Sequence, residues 1–298
     1  MLRVLQKLIF RYNKDMARRQ KEGRKLRLDP FSAIIPYIMV ERADAQNHIE
    51  ISFETANAEA MIRELRHEGY DSIGMLHIII ASYVRTVSQR PAVNRFIRGQ
   101  KIYARNDIVI NLAVKKKMSL DGIETTVKMH FRPEHTIFDV YEIVNEALKE
   151  VYEEKGTSVD RVANVINYIP GLIKKGVIAL LKTMDYFGLI PGFLLEASPF
   201  HGSLFITNMA SLNIPPIKHH LYNFGNVPLF IAFGAKRGDL FLDEDGTVRK
   251  RRVIDMILNM DERICDGYYY ASAMKMLKRY LSNPEELREP PKEIVIDK

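Results

Sequence analysis

His219 and His220 stand side by side in Pro216-Ile217-Lys218-His219-His220-Leu221-Tyr222-Asn223, in a chain with only eight histidines. Imidazole titrates near neutral pH, so either ring could serve as a general base or ligate a metal. Adjacent residues of an extended strand point to opposite sides, so the two do not readily share one metal. A surface or hydrogen-bonded pair is the plainer reading of the same residues. His77, in a helical stretch, and His130, in a strand-like one, read as structural. Cys265 is the single cysteine and can neither close a disulfide within the chain nor build a thiolate zinc site. No HExxH motif occurs, and no metal site is expected. GxGxxG and GxxxxGK[ST] are also missing, which speaks against dinucleotide binding and nucleotide hydrolysis. Two further stretches set polar groups at strand ends. One is Val253-Ile254-Asp255-Met256-Ile257-Leu258-Asn259-Met260-Asp261-Glu262-Arg263-Ile264-Cys265-Asp266-Gly267. The other is Gly202-Ser203-Leu204-Phe205-Ile206-Thr207-Asn208-Met209.

The elements that must position these residues follow from periodicity. Residues 31–54 alternate enough to predict strands, in Ala33-Ile34-Ile35-Pro36-Tyr37-Ile38-Met39 and in His48-Ile49-Glu50-Ile51-Ser52-Phe53. A helix is predicted over 56–67. A stronger one spans 73–89, where Met75, Ile78, Ile79, Ser82, Tyr83 and Thr86 keep a 3.6-residue period, with Asp71 or Ser72 as its cap. Strands are predicted at 101–115 and 123–131, then a helix at 138–151 and the start of another at 159–168. Strands follow at 203–208, 228–236 and 248–260, with turns over 238–246 and a closing helix at 268–281. The Pro- and Glu-rich tail after Asn283 reads as a loose terminus. The order is mixed α and β with hairpins, not the strict alternation of a doubly wound sheet.

The segment ending in Asp266-Gly267 resembles the end of the catalytic domain of the acyltransferase component of 2-oxoacid dehydrogenase complexes. It also resembles chloramphenicol acetyltransferase, which shares that fold. In that family the strand ends in His-x-x-x-Asp-Gly, and the histidine is the general base. Here Glu262 stands at the histidine position. Glutamate is the weaker base by about two pH units and would need burial to serve. The segment Gly202–Met209 is similar to the family's Gly-Thr-Phe-Thr-Ile-Ser-Asn-Leu. The resemblance gives Thr207, with Asn208 beside it, the hydroxyl position that stabilises the oxyanion. It also implies a structural Asp266 held by an arginine, with Gly267 completing the motif. Coverage is about residues 30–283, with an apolar helical insertion near 160–200. Residues 1–29 hold no lipoyl or peripheral subunit-binding domain, so the expected organisation is that of chloramphenicol acetyltransferase.

The resemblance therefore implies an α/β two-layer sandwich of the chloramphenicol acetyltransferase type, a mixed sheet with helices on one face. It implies a homotrimer with sites between subunits, acting on coenzyme A or an acyl-CoA and a small-molecule acyl acceptor. Glu262 would be a tuned base or would orient a substrate amine, with His219 or His220 as the alternative base. The competing reading is a non-catalytic trimeric scaffold or binding protein of the same fold.

Charge and hydropathy bear on partners. The net charge is +7, yet residues 1–28 alone carry ten basic and two acidic side chains. The remaining 270 residues are nearly neutral, so the basic character belongs to an arm (1–29), and nucleic acid is not an expected partner. Leu5, Leu8, Ile9, Tyr12 and Met16 recur at helical spacing, with Arg3, Lys7 and Arg11 on another face. Such a helix can lie on an anionic membrane or pack on its own domain. The apolar stretch within 160–200 is interrupted by Lys174, Lys175, Lys182, Asp185 and Glu196, too often for a membrane span. It reads as two helices or a helical hairpin that covers the core, joins subunits or dips into a membrane interface. A cytoplasmic location is expected, with a peripheral position on the inner membrane face as the variant that 1–28 and 160–200 would allow. Residues 284–298 form the tail.

Overall fold

The computed structural model describes residues 22–116, 122, 124–152 and 158–298. Of the amphipathic arm expected over 1–29, residues 1–21 lie outside them. The core is a six-stranded mixed sheet of β2 (Gln46–Glu54), β9 (Val248–Asp261), β8 (Leu229–Leu242), β7 (Leu204–Asn208), β5 (Ile108–Lys115) and β6 (Glu124–Phe131), in that spatial order. β8, β7 and β5 run parallel, and the outer pairings are antiparallel. A small second sheet has the order β1 (Gly23–Lys25), β4 (Lys101–Arg105) and β3 (Phe96–Arg98). Residues 23–25 thus belong to the folded body, not to the arm that the charge suggested.

The even-numbered residues of β9, Ile254, Met256, Leu258 and Met260, are buried in the main core. Helices α2 (Ala56–His67), α3 (Met75–Gln89), α4 (Ile137–Tyr152) and α8 (Gly267–Ser282) contribute to the same core. α3 is buried over twelve of its fifteen residues, from His77 to Ser88 without a gap, and so is enclosed on all faces. Odd-numbered β9 residues and their neighbours form the opposite face. There Phe205, Phe230, Leu221 and Val227 make a second, smaller cluster, and this cluster floors the candidate site.

The apolar insertion is helical, as its pattern predicted, but it holds three helices where two were expected, because each Pro-Gly pair ends one and begins the next. α5 (Ser158–Asn167), α6 (Gly171–Phe187) and α7 (Gly192–Ala197) are separated at the Pro-Gly pairs 170–171 and 191–192. α7 comes up to the opposite face of β6, where Lys128 Nζ donates to the Leu195 carbonyl and His130 meets Glu196 at 2.9 Å.

Five expectations change. Residues 238–242, expected as turns, continue β8 in register with β9, which leaves only 243–247 to turn. Residues 30–38 are a helix, α1 (Pro30–Ile38), not a strand: Pro30 opens it and the Asp29 carboxylate accepts the Ser32 N–H at 3.0 Å. Asp-Pro is a helix-start signal that outweighs the alternation after it. α3 starts at Gly74, not at Asp71 or Ser72, and its cap is the His77 ring, whose Nδ1 accepts the Gly74 N–H at 3.1 Å. The stretch 101–115 is two strands, β4 and β5. The tail is packed: Leu287 is buried, Arg95 pairs with Asp297 at 2.6 Å, and the Val295 N–H donates to the Ser88 carbonyl at 2.9 Å.

His77 carries a testable consequence. Desolvation lowers its pKa to about 4, outweighing its hydrogen bonds. The folded value lies below the unfolded one, so the stability it contributes is present above about pH 6.5 and is lost as pH falls toward 4. Between pH 7.5 and 5 that loss is about 2 kcal/mol. Urea unfolding at both pH values should show the wild type losing that much more than His77→Gln; equal losses would contradict it.

Candidate active site

The site begins where β9 ends. Asp261 is fully buried and accepts two hydrogen bonds from Arg263, Nε to Oδ1 and Nη2 to Oδ2, both at 2.8 Å. Arg42 Nε lies 3.4 Å from the same carboxylate. Two guanidiniums on one carboxylate leave one positive charge in excess, and backbone carbonyls take up the remaining donors. Arg42 donates to Tyr222 O at 2.6 Å and Gly225 O at 2.8 Å, and Arg263 donates to Met39 O at 2.8 Å and Val40 O at 3.0 Å. Two separate segments, 39–42 and 222–225, are thereby tied to the end of one strand. Gly225 must be glycine: its φ is +86°, and a Cβ there would lie 2.0 Å from the Phe200 carbonyl oxygen.

The segment between β7 and β8 is then drawn over the sheet. Opposite β9, β8 carries one extra residue between Phe233 and Lys236, a bulge. The Ala235 N–H turns out to donate to Ile214 O at 2.9 Å. A Cβ on Gly234 would come within 2.4 Å of Pro216 Cδ, so glycine permits this close approach. Further along, Leu221 N–H donates to Gln46 Oε1 at 3.0 Å, and Asn259, itself buried and 2.5 Å from His48 Nδ1, donates to the His219 carbonyl. The His219 ring stacks on Phe230, with centroids 4.1 Å apart and planes at 17°.

This arrangement brings together two of the predicted residues. His219 Nε2 lies 3.3 Å from Thr207 Oγ1. Thr207 is buried at the end of β7, and His219 is half-buried. Burial, and secondarily His220, lowers the His219 pKa below its ordinary value. Its ring is thus neutral at pH 7, the form a base requires. The pair is an imidazole beside a hydroxyl on an apolar floor, able to move a proton and to donate a hydrogen bond to a developing oxyanion. His220 is exposed and, among the described residues, meets the Tyr222 ring edge, so the tandem pair points apart as an extended segment requires.

The other predicted residues are elsewhere. Glu262 is half-exposed and accepts a hydrogen bond from Asn47 Nδ2 at 2.9 Å. Within the single chain it is not buried. Thr207 pairs with Ala232, which pairs with Ile257, five residues before Glu262. The two sites are thus about 10 Å apart across the strands and about 16 Å along them. One chain does not bring them together. Asp266 has no arginine partner among the described residues: it is exposed and caps α8, accepting the Tyr269 N–H at 3.0 Å, with Gly267 as the first helical residue. The expected arginine bridge is displaced to Asp261. Asn208 caps the turn after β7, accepting the Ser211 N–H at 3.2 Å. Burial raises the Cys265 thiol to about 12, so it is no nucleophile. Arg42, Asn259 and Phe230 were missed as site residues. Their partners are far away in sequence, and no local motif marks them.

No protein-family model matches the chain, and no curated protein matches it. Solved structures do. The probable dihydrolipoamide acetyltransferase from Listeria monocytogenes superposes with a TM-score of 0.54 at 13% identity, covering 87% of this chain and 94% of that one. The Azotobacter vinelandii dihydrolipoamide acetyltransferase gives 0.56 at 11%, covering 88% and 94%. A truncated catalytic core of the 2-oxoacid dehydrogenase multienzyme complex from Thermoplasma acidophilum gives 0.52 at 12%, covering 87% and 98%. The chain therefore has the two-layer fold of these acyltransferase cores, as the Asp-Gly and Thr-Asn segments implied.

Removing the central carboxylate should be costly. Asp261→Asn leaves two buried guanidiniums without a counter-charge, and we expect a loss of about 3–5 kcal/mol in urea unfolding. A loss below about 1 kcal/mol would show that the arginines do not depend on it.

Proposed function

We propose that this protein is a coenzyme-A-dependent acyltransferase whose base has moved from the strand-end position to His219. The observation that carries the reading is the 3.3 Å approach of His219 Nε2 to Thr207 Oγ1. The likeness of the whole fold to acyltransferase cores supports it. With Nδ1 protonated, Nε2 is the acceptor. In the free protein the Thr207 hydroxyl would donate to it. When an acyl-CoA thioester binds, that hydroxyl turns to the thioester carbonyl, and Nε2 becomes free to take the proton of the incoming thiol, hydroxyl or amine. The nucleophile attacks the carbonyl carbon, and Thr207 stabilises the oxyanion. Collapse breaks the carbon–sulfur bond, and the imidazolium returns its proton to the departing thiolate. Atoms and charge balance without a metal.

Glu262 then has the second role foreseen for it, orienting an acceptor amine. The resemblance implies a trimer with sites between subunits. A neighbouring copy's Glu262 would face the acceptor across such a site, which accounts for its distance from Thr207 within one chain.

A non-catalytic scaffold is favoured by one different observation. α6 buries none of its seventeen residues, and Leu172, Leu180 and Phe187 stand out from it among Lys174, Lys175 and Lys182. No helix of the described residues is long and apolar enough to cross a membrane, so contact with a lipid surface would be peripheral.

Calorimetric titration with coenzyme A and acetyl-CoA, on protein of verified trimeric mass, separates the two readings. The acyltransferase reading predicts micromolar binding that Thr207→Val weakens for acetyl-CoA at least about fivefold, since its hydroxyl faces the thioester. Absence of binding to a folded trimer would favour the scaffold.

A further inference from the structure

A small polar cavity is lined in part by Arg42 and Arg263 of the Asp261 cluster. Its volume is about 120 Å³, too small for a whole cofactor and suited to one small ion or the end group of a larger ligand. Four cationic side chains line it, Arg42, Arg98, Lys182 and Arg263, against one carboxylate, Asp185. That carboxylate is already engaged: it receives the Gly225 N–H at 3.1 Å and lies 3.2 Å from His201 Nε2. Arg98 is 4% exposed, and a single ion pair, from Nη2 to Glu22, accounts for its charge. Its Nε is buried without a hydrogen-bond partner. Lys182 is exposed at the mouth and makes no ion pair among the described residues. Asp261 is shared between two arginines, so it neutralises only one of them. Set against Glu22, Asp185 and Asp261, the four cations leave one positive charge in excess around this small concave space.

We infer that this cavity is an anion site for a phosphomonoester, in which Lys182 supplies the cation that no carboxylate among the described residues pairs and the Arg98, Arg42 and Arg263 guanidiniums form the positive wall. The guanidinium fork suits a phosphate's oxygens, and two or more cations suit its double charge. The site joins the body of the fold (Arg42, Arg98, Arg263) to the apolar insertion (Lys182, Asp185). An anion there would pin α6 against β3. Two sources share this chemistry: free phosphate, and the terminal phosphate of a ligand such as coenzyme A. Only the second rests on the acyltransferase reading.

The test is titration of the full-length protein with inorganic phosphate at constant ionic strength, beside Lys182→Gln and the distant control Lys278→Gln. Lys182 is exposed, so its loss should leave the melting temperature in chloride unchanged. A tighter probe, Lys182→Glu, places a repelling charge at the mouth. We expect phosphate to bind and to raise the melting temperature. Lys182→Gln should weaken binding about tenfold, Lys182→Glu should abolish it, and Lys278→Gln should leave it unchanged. Coenzyme A against 3′-dephospho-coenzyme A identifies the source. A preference for the phosphorylated form that Lys182→Gln removes assigns the site to that ligand, whereas phosphate binding without such a preference assigns it to free phosphate. Absence of phosphate binding, or binding indifferent to both Lys182 substitutions, would overturn the inference. Neither result depends on whether the protein transfers acyl groups.

Discussion

Asp261, buried between Arg42 and Arg263, is the interaction on which the site depends. Burying three charges is unfavourable unless each is paired and its donors are met. Here the single carboxylate faces two guanidiniums, and four backbone carbonyls from residues 39, 40, 222 and 225 complete the shell. None of those residues lies in a helix or strand, so their carbonyls were free to be used. Desolvation draws the Arg42 guanidinium below its ordinary range, and Asp261 opposes the shift. The cluster therefore spends electrostatic stability to fix two loops, 39–42 and 222–225, against the end of β9. His219 lies on the chain held by one of those loops.

The position of His219 follows from that anchor and from the bulge in β8. Together they lay residues 213–223 across the sheet, and the Phe230 ring gives the imidazole a flat surface to stack on. A base on this segment can stand beside Thr207 without help from another chain. Glu262 cannot, because two strands and five residues separate it from that point. The glutamate at the strand end is thus compatible with chemistry once the imidazole has another place to stand.

Much of the fold was legible in sequence because its elements carry their own signals. α3 showed a helical period, β7 and β9 carried apolar runs, and Pro-Gly pairs divided the insertion. Residues 30–38 misled because alternating apolar side chains were weighed above the Asp29-Pro30 start. The tail misled because composition says nothing of Leu287 or of the Asp297 pair with Arg95. Within the site, Thr207 was legible through its segment and His219 through its rarity as a tandem pair. Their proximity was not, since it depends on a one-residue bulge and on Arg42, which meets Asp261 across 219 positions of sequence. Asp266 was assigned the bridge that belongs to Asp261. A cap and a salt-bridge acceptor are the same residue type, and only geometry separates them.

The central claim is that His219 performs the proton transfer and Glu262 does not. The direct measurement is the rate of acetyl transfer from acetyl-CoA to a panel of small thiols and amines at pH 7.5, for wild type, His219→Gln and Glu262→Gln. His219→Gln should lower kcat by about 100-fold or more, whereas Glu262→Gln should change it less than about tenfold and act mainly on the KM for amines. Full activity in His219→Gln together with loss of activity in Glu262→Gln would contradict that claim.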